Sequence, residues 1–420
     1  MNKSLAIGIV LLILAIVTAT LGLFLFSYQS DQSPQTDDTD STQRGIQELV
    51  NANNKFAFEL YLELDKNENG NIFYSPYSLS SALAMTYEGA KGQTADEMKS
   101  VFHFPETNTL RTNFAAIYNN INKKDKPYEL RTGNALWAQQ DYSFLKEYTD
   151  KVEKYYGGKV ENLDFIRKTE ISRQMINTFI EEQTNNKIKD LIPQGALTPL
   201  IRLVLTNAIY FKGTWTWEFD KSDTHDQDFK ITSANIIKTP MMFMDNDKAK
   251  FNYLDLGDLQ ILELPYKGEE ISMLIVLPTE NLEAIRSSLT AENFEEWKSQ
   301  LREDKLDAIY LPKFEFNTKY FMNDALSARG MPTAFSNSAD FSGMTGEKNL
   351  FISLVIHQAY IKVDEEGTEA AAATAVGVGL TSASVSPRRE FKVDHPFIFI
   401  IQEKETGNIL FIGGVTDPTK

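Results

Sequence analysis

Cysteine is absent from this 420-residue chain, so disulfide bonds and thiolate metal sites are excluded. Histidine is scarce: His103, His225, His357 and His395 are scattered, and none has the His-x-x-x-His or Glu-x-x-His spacing of a metal site. The sequence also lacks the Gly-x-Ser-x-Gly pattern of many hydrolases, the His-Glu-x-x-His pattern of metalloproteases and a phosphate-binding loop. We therefore expect no enzyme activity, no metal and no cofactor.

Positive charge is also in deficit, since 42 Lys and Arg residues face 58 Asp and Glu residues and leave a formal net charge of -16. A surface this acidic repels polyanions. We therefore expect neither nucleic acid nor a heparin-type polyanion as a partner. We interpret the charge as the solvated surface of a monomer.

Charged residues are missing from residues 5–26, which are long enough to cross a hydrocarbon core of ~30 Å as a helix. A cleaved signal peptide has a shorter apolar region of roughly 7–15 residues. We therefore expect a transmembrane signal-anchor, with residues 1–4 in the cytoplasm and the body outside the cell, because Lys3 precedes the span and acidic residues follow it. Residues 27–42 are polar and typical of a flexible tether. If the N-terminal segment is cleaved instead, the body is secreted.

The remaining chain, residues 43–420, contains both helical and strand patterns. Helical spacing dominates early, and Ser75-Pro76 resembles an N-cap followed by a first-turn proline. Later, residues 271–277 form a continuous apolar run, as in a strand buried on both faces. Residues 397–401 and 409–412 are two more apolar strands joined by a turn. This distribution predicts an α+β fold in one body.

One segment exceeds 20 residues without a convincing core pattern, and a loop of that length is usually functional or disordered. Residues 365–375 are alanine-rich and have high helix propensity, whereas residues 376–387 are small, weakly polar and contain glycine. One interpretation is a short surface helix followed by a loop. A better physical interpretation is a segment that slides between two strands, with Gly367 as a backbone hinge. The alternate side chains that would then face the core are small and uncharged: Thr368, Ala370, Ala372 and Thr374.

Several stretches of the body resemble the serpin family, and they occur in family order. Residues 363–372 (VDEEGTEAAA) resemble the family's hinge, and residues 391–400 (FKVDHPFIFI) resemble its C-terminal signature. The other matching stretches are residues 71–78 (NIFYSPYS), 205–215 (LTNAIYFKGTW), 339–344 (ADFSGM) and 407–413 (GNILFIG). The resemblance implies a serpin fold, in which helices pack on a large mixed central β-sheet with two smaller sheets. It also implies an exposed reactive-centre loop at about residues 365–390.

The same resemblance implies a suicide-substrate inhibitor of proteases. A target protease cleaves the reactive-centre loop, the loop inserts into the central sheet, and the protease is trapped as a covalent acyl-enzyme. Family spacing counted from Glu365 places the reactive bond at Thr381-Ser382, with Leu380-Thr381 as the alternative. The implied hinge consists of Glu365, Glu366, Gly367, Thr368, Ala370, Ala371, Ala372 and Thr374. The implied shutter, where the sheet parts, contains Ser75, Ser78, Asn207 and His357, and the implied breach, where insertion begins, contains Trp215.

Residues 376–386 contain no charged or aromatic side chain, so a trypsin-like enzyme would find no cation before the bond. Thr381 fits the shallow pockets of elastase-like or subtilisin-like serine proteases, and Leu380 fits papain-like cysteine proteases, the second choice. Two alternatives stay open: a non-inhibitory serpin with a chaperone, carrier or structural role, and a membrane-anchored hydrolase. The small hinge side chains favour an inhibitor over the first, and the missing nucleophile patterns disfavour the second.

Overall fold

The computed structural model of the chain describes residues 35–68, 70–123, 125–245, 249–368 and 389–420. Residues from Thr36 to Lys420 form one compact unit. The predicted anchor, residues 5–26, and the loop residues 369–388 lie outside the described residues. Within the described part, no helix combines the length and the apolar character needed to cross a bilayer.

Helices dominate the first part of the body. They are α1 Gln43–Asp65, α2 Pro76–Tyr87, α3 Gly92–Phe102, α4 Thr107–Ile121, α5 Lys146–Tyr156, α6 Thr169–Gln183, α7 Leu282–Ile285, α8 Ala291–Gln300, α9 Asn323–Arg329 and α10 Ser342–Thr345. Helix α2 begins as predicted, because the Ser75 side chain accepts a hydrogen bond from the Ser78 amide and Pro76 occupies the first turn. Helix α1 buries an apolar face that includes Phe56 and Leu60.

Strands dominate the later part of the body. They are β1 Ile72–Tyr74, β2 Tyr128–Thr132, β3 Ala135–Gln139, β4 Lys159–Leu163, β5 Leu203–Thr214, β6 His225–Thr232, β7 Asn235–Asp245, β8 Phe251–Asp255, β9 Leu259–Pro265, β10 Ile271–Pro278, β11 Arg302–Asp304, β12 Ala308–Pro312, β13 Phe314–Phe321, β14 Ile352–Asp364, β15 Gly367–Thr368, β16 Glu390–Lys392, β17 Phe397–Glu403 and β18 Ile409–Val415. The apolar run at residues 271–277 is β10, which is buried along its whole length as predicted.

These strands form three sheets. The central sheet has the order β13-β14-β15-β5-β3-β4, with β2 also paired to β5. It is mixed, because β14 runs antiparallel to β13 but parallel to β5. The second sheet has the order β1-β18-β17-β10-β9-β8-β11, and the third has the order β16-β12-β7-β6. The predicted α+β fold, with helices on a mixed central sheet, is confirmed. Of the two sheets predicted to be smaller, the third has four strands, but the second has seven, as many as the central sheet.

Helix α2 lies where the first two sheets meet, since it contacts both β18 and β5. Its sequence is suited to that position, because the side chains from Pro76 to Thr86 are all buried. Four of its buried residues are nevertheless serine or threonine: Ser78, Ser80, Ser81 and Thr86. The first turn of α2 therefore brings hydrogen-bonding groups beneath the central sheet.

The end of the predicted tether is packed against the body. Thr36 is 3% exposed, and its hydroxyl donates a hydrogen bond to the Ala115 carbonyl at 3.1 Å. The Asp37 amide donates to the Lys154 carbonyl at 2.8 Å. Residues 27–34 of the predicted tether lie outside the described residues. The docking depends on polar contacts between distant parts of the chain, and such contacts leave no periodic pattern in the sequence.

Candidate functional site in the parted central sheet

The two middle strands of the central sheet pair directly along only part of their length. Strands β14 and β5 run parallel and pair over Ile352–Ala359 and Leu203–Ile209. Beyond that point β15 lies between them, with Thr368 paired to Val363 on one side and to Gly213 on the other. The sheet is therefore closed at one end and parted at the other. The chain that enters the parted end is the predicted hinge.

The hinge enters through a position that only glycine can occupy. Gly367 has φ +150°, and a Cβ atom there would lie 2.1 Å from the Gly213 carbonyl oxygen. Thr368, the next residue, is 1% exposed, and its hydroxyl lies 2.6 Å from the Tyr266 hydroxyl. Tyr266 is fully buried and stacks on Trp215 with 4.4 Å between ring centroids. Backbone pairing and a side-chain hydrogen bond therefore both hold Thr368 in the gap.

Two consecutive carboxylates precede the glycine, and both are shielded from water. The Glu365 carboxylate oxygens accept hydrogen bonds from Lys313 Nζ at 2.8 and 2.9 Å, and one of them also accepts from the Thr224 hydroxyl at 2.8 Å. Burial raises the pKa of Glu365, but the bonds from Lys313, from its own backbone and from Thr224 outweigh that effect and leave the pKa lowered. Glu366 forms an ion pair with Lys221. The ionised Glu365 carboxylate and the contact between Glu366 and Lys221 thus fix the start of the hinge.

Trp215 joins the hinge to the end of β5. Its backbone amide donates to the Glu366 carbonyl at 2.9 Å, and its indole Nε1 donates to the Asp364 carbonyl at 3.0 Å. The Phe219 amide adds a bond to the Glu365 carbonyl at 2.9 Å. A buried indole needs a partner for its N–H group, and the turn between β14 and β15 supplies it. These bonds hold the turn where the sheet parts.

A cluster of polar side chains lies where β5 and β14 are still paired. His357 of β14 is opposite Asn207 of β5 in the parallel register. Helix α2 and its N-cap supply two serines from below, and the break between β2 and β3 supplies an asparagine. Buried polar groups need hydrogen-bond partners, which these residues provide for one another. We call them the shutter cluster: Ser75, Ser78, Asn134, Asn207 and His357.

Hydrogen bonds run through the shutter cluster from one strand to the other. The Ser75 amide donates to His357 Nε2 at 3.1 Å, and His357 Nδ1 donates to Asn207 Oδ1. Asn207 Nδ2 donates to the Ser78 hydroxyl at 2.5 Å, and that hydroxyl donates to Asn134 Oδ1 at 3.0 Å. The contact between His357 and Asn207 spans β14 and β5. It must therefore break when these two strands separate.

This pattern requires a neutral imidazole, because one ring nitrogen of His357 accepts a hydrogen bond and the other donates one. Burial lowers the pKa of His357 to about 3, so the ring is neutral at physiological pH. The link between the strands is therefore a hydrogen bond between neutral groups. When the strands separate, each group can form a different hydrogen bond, and no buried charge is left unpaired.

The other end of the loop is fixed in the third sheet. Strand β16 pairs in parallel with β12. Just before β16, the Arg389 guanidinium lies 2.7 Å from the Asp304 carboxylate, and the Arg389 amide donates to the Asp307 carboxylate at 2.8 Å. Residues 369–388 thus connect two fixed points, the hinge in the central sheet and the strand β16.

The structure places the predicted shutter residues in one cluster and puts Trp215 beside the first four hinge residues. The other hinge residues, Ala370, Ala371, Ala372 and Thr374, lie outside the described residues, as do both candidates for the reactive bond, Thr381-Ser382 and Leu380-Thr381. Sequence reasoning missed five side chains of the site: Asn134, Lys221, Thr224, Tyr266 and Lys313. Asn134 follows Gly133 in a break between two short strands, and that break is a signal that could have identified it. Nothing local marks the other four.

Comparisons with known proteins agree on one family. The family model described as Serpin (serine protease inhibitor) matches residues 51–418. A serpin-like protein from Methanosarcina mazei is 43% identical over 378 residues, which cover 88% of this chain and 88% of that protein. Leukocyte elastase inhibitor A from Rattus norvegicus is 38% identical, with 89% of this chain and 100% of that protein covered. The crystal structure of Serpin48 from Tenebrio molitor matches with a TM-score of 0.79 at 33% identity, covering 88% of this chain and 98% of that one.

Proposed function

The chain belongs to the serpin family, and from that premise we propose that it is a protease inhibitor of the suicide-substrate type. The observation that carries the proposal is strand β15. Its two residues lie in the parted end of the central sheet and pair with β14 on one side and β5 on the other. A loop that must enter the sheet therefore has its first two residues already in place.

The register of β15 defines how an inserting loop would continue. Each residue after Thr368 would pair one residue earlier along β5, so that residue 378 would reach Leu203, where β5 begins. Ten residues, 369–378, would thus fill the gap along β5. Because Thr368 is buried, alternate side chains would follow it onto the buried face. They are small or aliphatic, and none would bury a charge: Ala370, Ala372, Thr374, Val376 and Val378.

Insertion would replace one parallel ladder between β14 and β5 by two antiparallel ladders. Ten inserted residues add about ten net hydrogen bonds, and at ~0.5–1.5 kcal/mol each the gain is on the order of 10 kcal/mol. Burial of the aliphatic side chains adds to that gain. An intact molecule with a parted sheet is therefore metastable relative to the inserted form, and a kinetic barrier preserves it.

Cleavage starts the insertion. The protease nucleophile attacks the carbonyl carbon of Thr381, the bond to Ser382 breaks, and the new amino group of Ser382 leaves with a proton. The chain up to Thr381 stays on the enzyme as an acyl group. Because residue 378 would reach the start of β5, the attached enzyme would be carried to the end of the sheet opposite the hinge. An enzyme pressed against the body loses the alignment that hydrolysis of the acyl group requires.

We propose elastase-like or subtilisin-like serine proteases as the preferred targets. Thr381 would sit in the pocket before the reactive bond, and its small side chain fits a shallow pocket. The name of one relative, leukocyte elastase inhibitor A, supports this choice. Papain-like cysteine proteases are the second choice, because they read an apolar residue such as Leu380 just before the bond.

We also propose that the body works outside the cell. The apolar residues 5–26 would anchor the chain in a membrane, and residues 27–35 would connect that anchor to the docked Thr36. Membrane fractionation with protease treatment of intact cells tests this placement. The body should pellet with membranes and be released by external protease. Recovery of a soluble secreted form that begins after residue 26 would contradict an anchor.

The decisive experiment for inhibition incubates the full chain with subtilisin, elastase, papain and trypsin in turn. Subtilisin or elastase should form an SDS-stable covalent complex, and sequencing of the released fragment should show a new N-terminus at Ser382. The Thr381→Arg variant is a matched control, because it should transfer trapping to trypsin without any change in the hinge. Cleavage within the loop by every enzyme, without a complex and without a rise in thermal stability, would indicate a non-inhibitory serpin.

A further inference from the structure

Residues 36–42 continue α1 upstream and lie across two other helices, and we call them the strap. Asn119 of α4 binds the main chain of Thr36 on both sides: Asn119 Oδ1 accepts from the Thr36 amide at 3.0 Å, and Asn119 Nδ2 donates to the Thr36 carbonyl at 2.8 Å. The Thr42 amide donates to Asn113 Oδ1 at 3.0 Å. Two asparagines of α4 therefore use their side-chain amides to hold the strap.

The far end of the strap is bonded to the last turn of α5. The Asp37 amide donates to the Lys154 carbonyl at 2.8 Å, and the Asp37 carboxylate lies 3.0 Å from Lys154 Nζ. Hydrogen bonds from the Thr39 side chain, from Lys154 and from the Thr39 amide lower the pKa of Asp37 to about 2, so the carboxylate is ionised at physiological pH. The strap therefore connects the start of α1 to the end of α5.

The contacts of these two helices lead toward different sides of the gap in the central sheet, although α1 also packs on α4 and on α2, which contacts β5. Helix α1 packs against β18, and β18 pairs with β1. The Phe73 amide of β1 in turn donates a hydrogen bond to the Tyr320 hydroxyl of β13. Helix α1 is thus connected to the β13–β14 side. Helix α5 leads through Gly157 and Gly158 into β4, which lies at the edge of the sheet on the β5 side. The strap bridges the two parts that insertion would move apart.

We infer that the strap is a brake on loop insertion, because it ties α5 and the adjoining edge of the central sheet to α1. This inference rests on the proposed function, since it concerns the rate of the same insertion. One additional strand widens a sheet by about 4.8 Å. A hydrogen bond of 3.0 Å is lost when its atoms separate by roughly another 0.5 Å. Where this widening moves α5 away from the start of α1, bonds of the strap would be lost before the loop enters fully.

The family match begins at residue 51, so the strap lies upstream of it. The bonds of the strap are made to α4 and α5. Its effect on inhibition would therefore arise through the width of the sheet.

The test compares the full-chain variants Asn119→Ala and Lys154→Ala with the matched control Lys151→Ala. Lys151 is on the same helix as Lys154 and also forms an ion pair, but its partner, Glu147, lies within that helix. Each protein is prepared intact and after cleavage in the loop by a catalytic amount of subtilisin, and both forms are melted. Strap variants should lower the thermal midpoint of the intact form and leave that of the cleaved form unchanged. Intact strap variants should also convert to the heat-stable inserted form roughly tenfold faster, and Lys151→Ala should not.

If the strap variants lower both midpoints equally, or change neither, the strap is ordinary packing and the brake is overturned. If cleavage fails to raise the midpoint of the unmodified chain, the proposed function is overturned and the brake falls with it. The two failures are thus distinguishable in one set of melting curves. Lys154→Ala decides the matter if Asn119→Ala does not fold, because the Lys154 side chain is 52% exposed and its removal leaves no cavity.

Discussion

Under the proposed mechanism, replacement of Thr368 by arginine should turn the protein from an inhibitor into an ordinary substrate. Thr368 is 1% exposed and lies between β14 and β5, with its hydroxyl against that of Tyr266. An arginine at this position could enter the gap only by burying a guanidinium without a carboxylate partner. An unpaired charge of this kind costs about 3–5 kcal/mol. The population of molecules with residue 368 in the gap should therefore fall by a factor of about 10² to about 5 × 10³.

The same penalty should act during inhibition. After cleavage, the acyl-enzyme either is carried away by insertion or is hydrolysed, and the faster process decides the outcome. Because insertion must proceed through residue 368, a barrier raised by several kcal/mol should let hydrolysis win. The assay titrates a fixed amount of subtilisin or elastase with inhibitor and measures both the remaining activity and the SDS-stable complex. The unmodified chain should consume about one molecule per enzyme, and Thr368→Arg should be cut while the enzyme stays active.

The Thr368→Val variant separates charge from the loss of the hydroxyl. Valine keeps the size of threonine and removes only the bond to Tyr266, which should cost about 1 kcal/mol. This variant should still trap protease. Equal trapping by Thr368→Arg and the unmodified chain would show that residue 368 does not pass through the gap, and the insertion mechanism would then be wrong for this protein.

Three further predictions concern pH, the hinge ion pair and target choice. Burial lowers the pKa of His395, but bonds to Asp394 and a backbone carbonyl outweigh it and raise the pKa overall. Protonated His395 should stabilise the folded state fully below about pH 6.5, and this contribution should be lost as the pH rises through the raised pKa. The difference in urea midpoint between the unmodified chain and His395→Gln should therefore shrink between about pH 6.5 and about pH 8.5. A constant difference would contradict this. Lys313→Ala should lower the free energy of unfolding by roughly 2–3 kcal/mol in urea titrations, because it leaves the buried Glu365 carboxylate without its cationic partner. An unchanged midpoint would refute the role of this pair. Trypsin should associate about 100-fold more slowly than subtilisin in discontinuous assays of residual protease activity, since residues 376–386 offer no positively charged side chain. Rapid trapping of trypsin would show that the reactive bond lies elsewhere.

The fold class could be predicted because its signals are local. Ser75 and Pro76 mark a helix start through capping chemistry that involves only the next few residues, and α2 begins there. The apolar run at residues 271–277 signals burial on both faces, and β10 is buried throughout. In both cases the sequence pattern and the tertiary environment require the same structure, so a single sequence suffices.

The site is harder to predict, because it depends on contacts between distant residues. Propensity favours a helix from residue 365 onward, but Gly367 and Thr368 form a strand because two unpaired strand edges are available on either side. Asn134 joins the shutter cluster across 73 positions from Asn207, and no sequence period reports such a contact. The contacts that dock residues 36–42 also join distant parts of the chain, so the sequence alone predicts a flexible tether there.

The two fixed ends of the loop lie beside strands that are consecutive in the chain. Thr368 pairs with Val363, and Val363 pairs with Phe314 at the start of β13. Strand β16 begins opposite Ala308 of β12, six residues before Phe314. The loop therefore leaves the central sheet near the start of β13 and enters the third sheet beside the preceding strand, β12.

This placement limits how far an uncut loop can insert. Full insertion would use residues 369–378 and extend about 33 Å along the sheet. Residues 379–388 would then have to return to β16, and ten residues span at most about 36 Å when fully extended. An intact loop could therefore insert completely only if its second part were pulled straight or if β16 left β12. Cleavage at Thr381-Ser382 removes this restriction at once, because residues after the cut stay with β16 while those before it follow Thr368 into the gap. Under the proposed mechanism, chain connectivity would therefore withhold the energy of insertion until a protease breaks the chain.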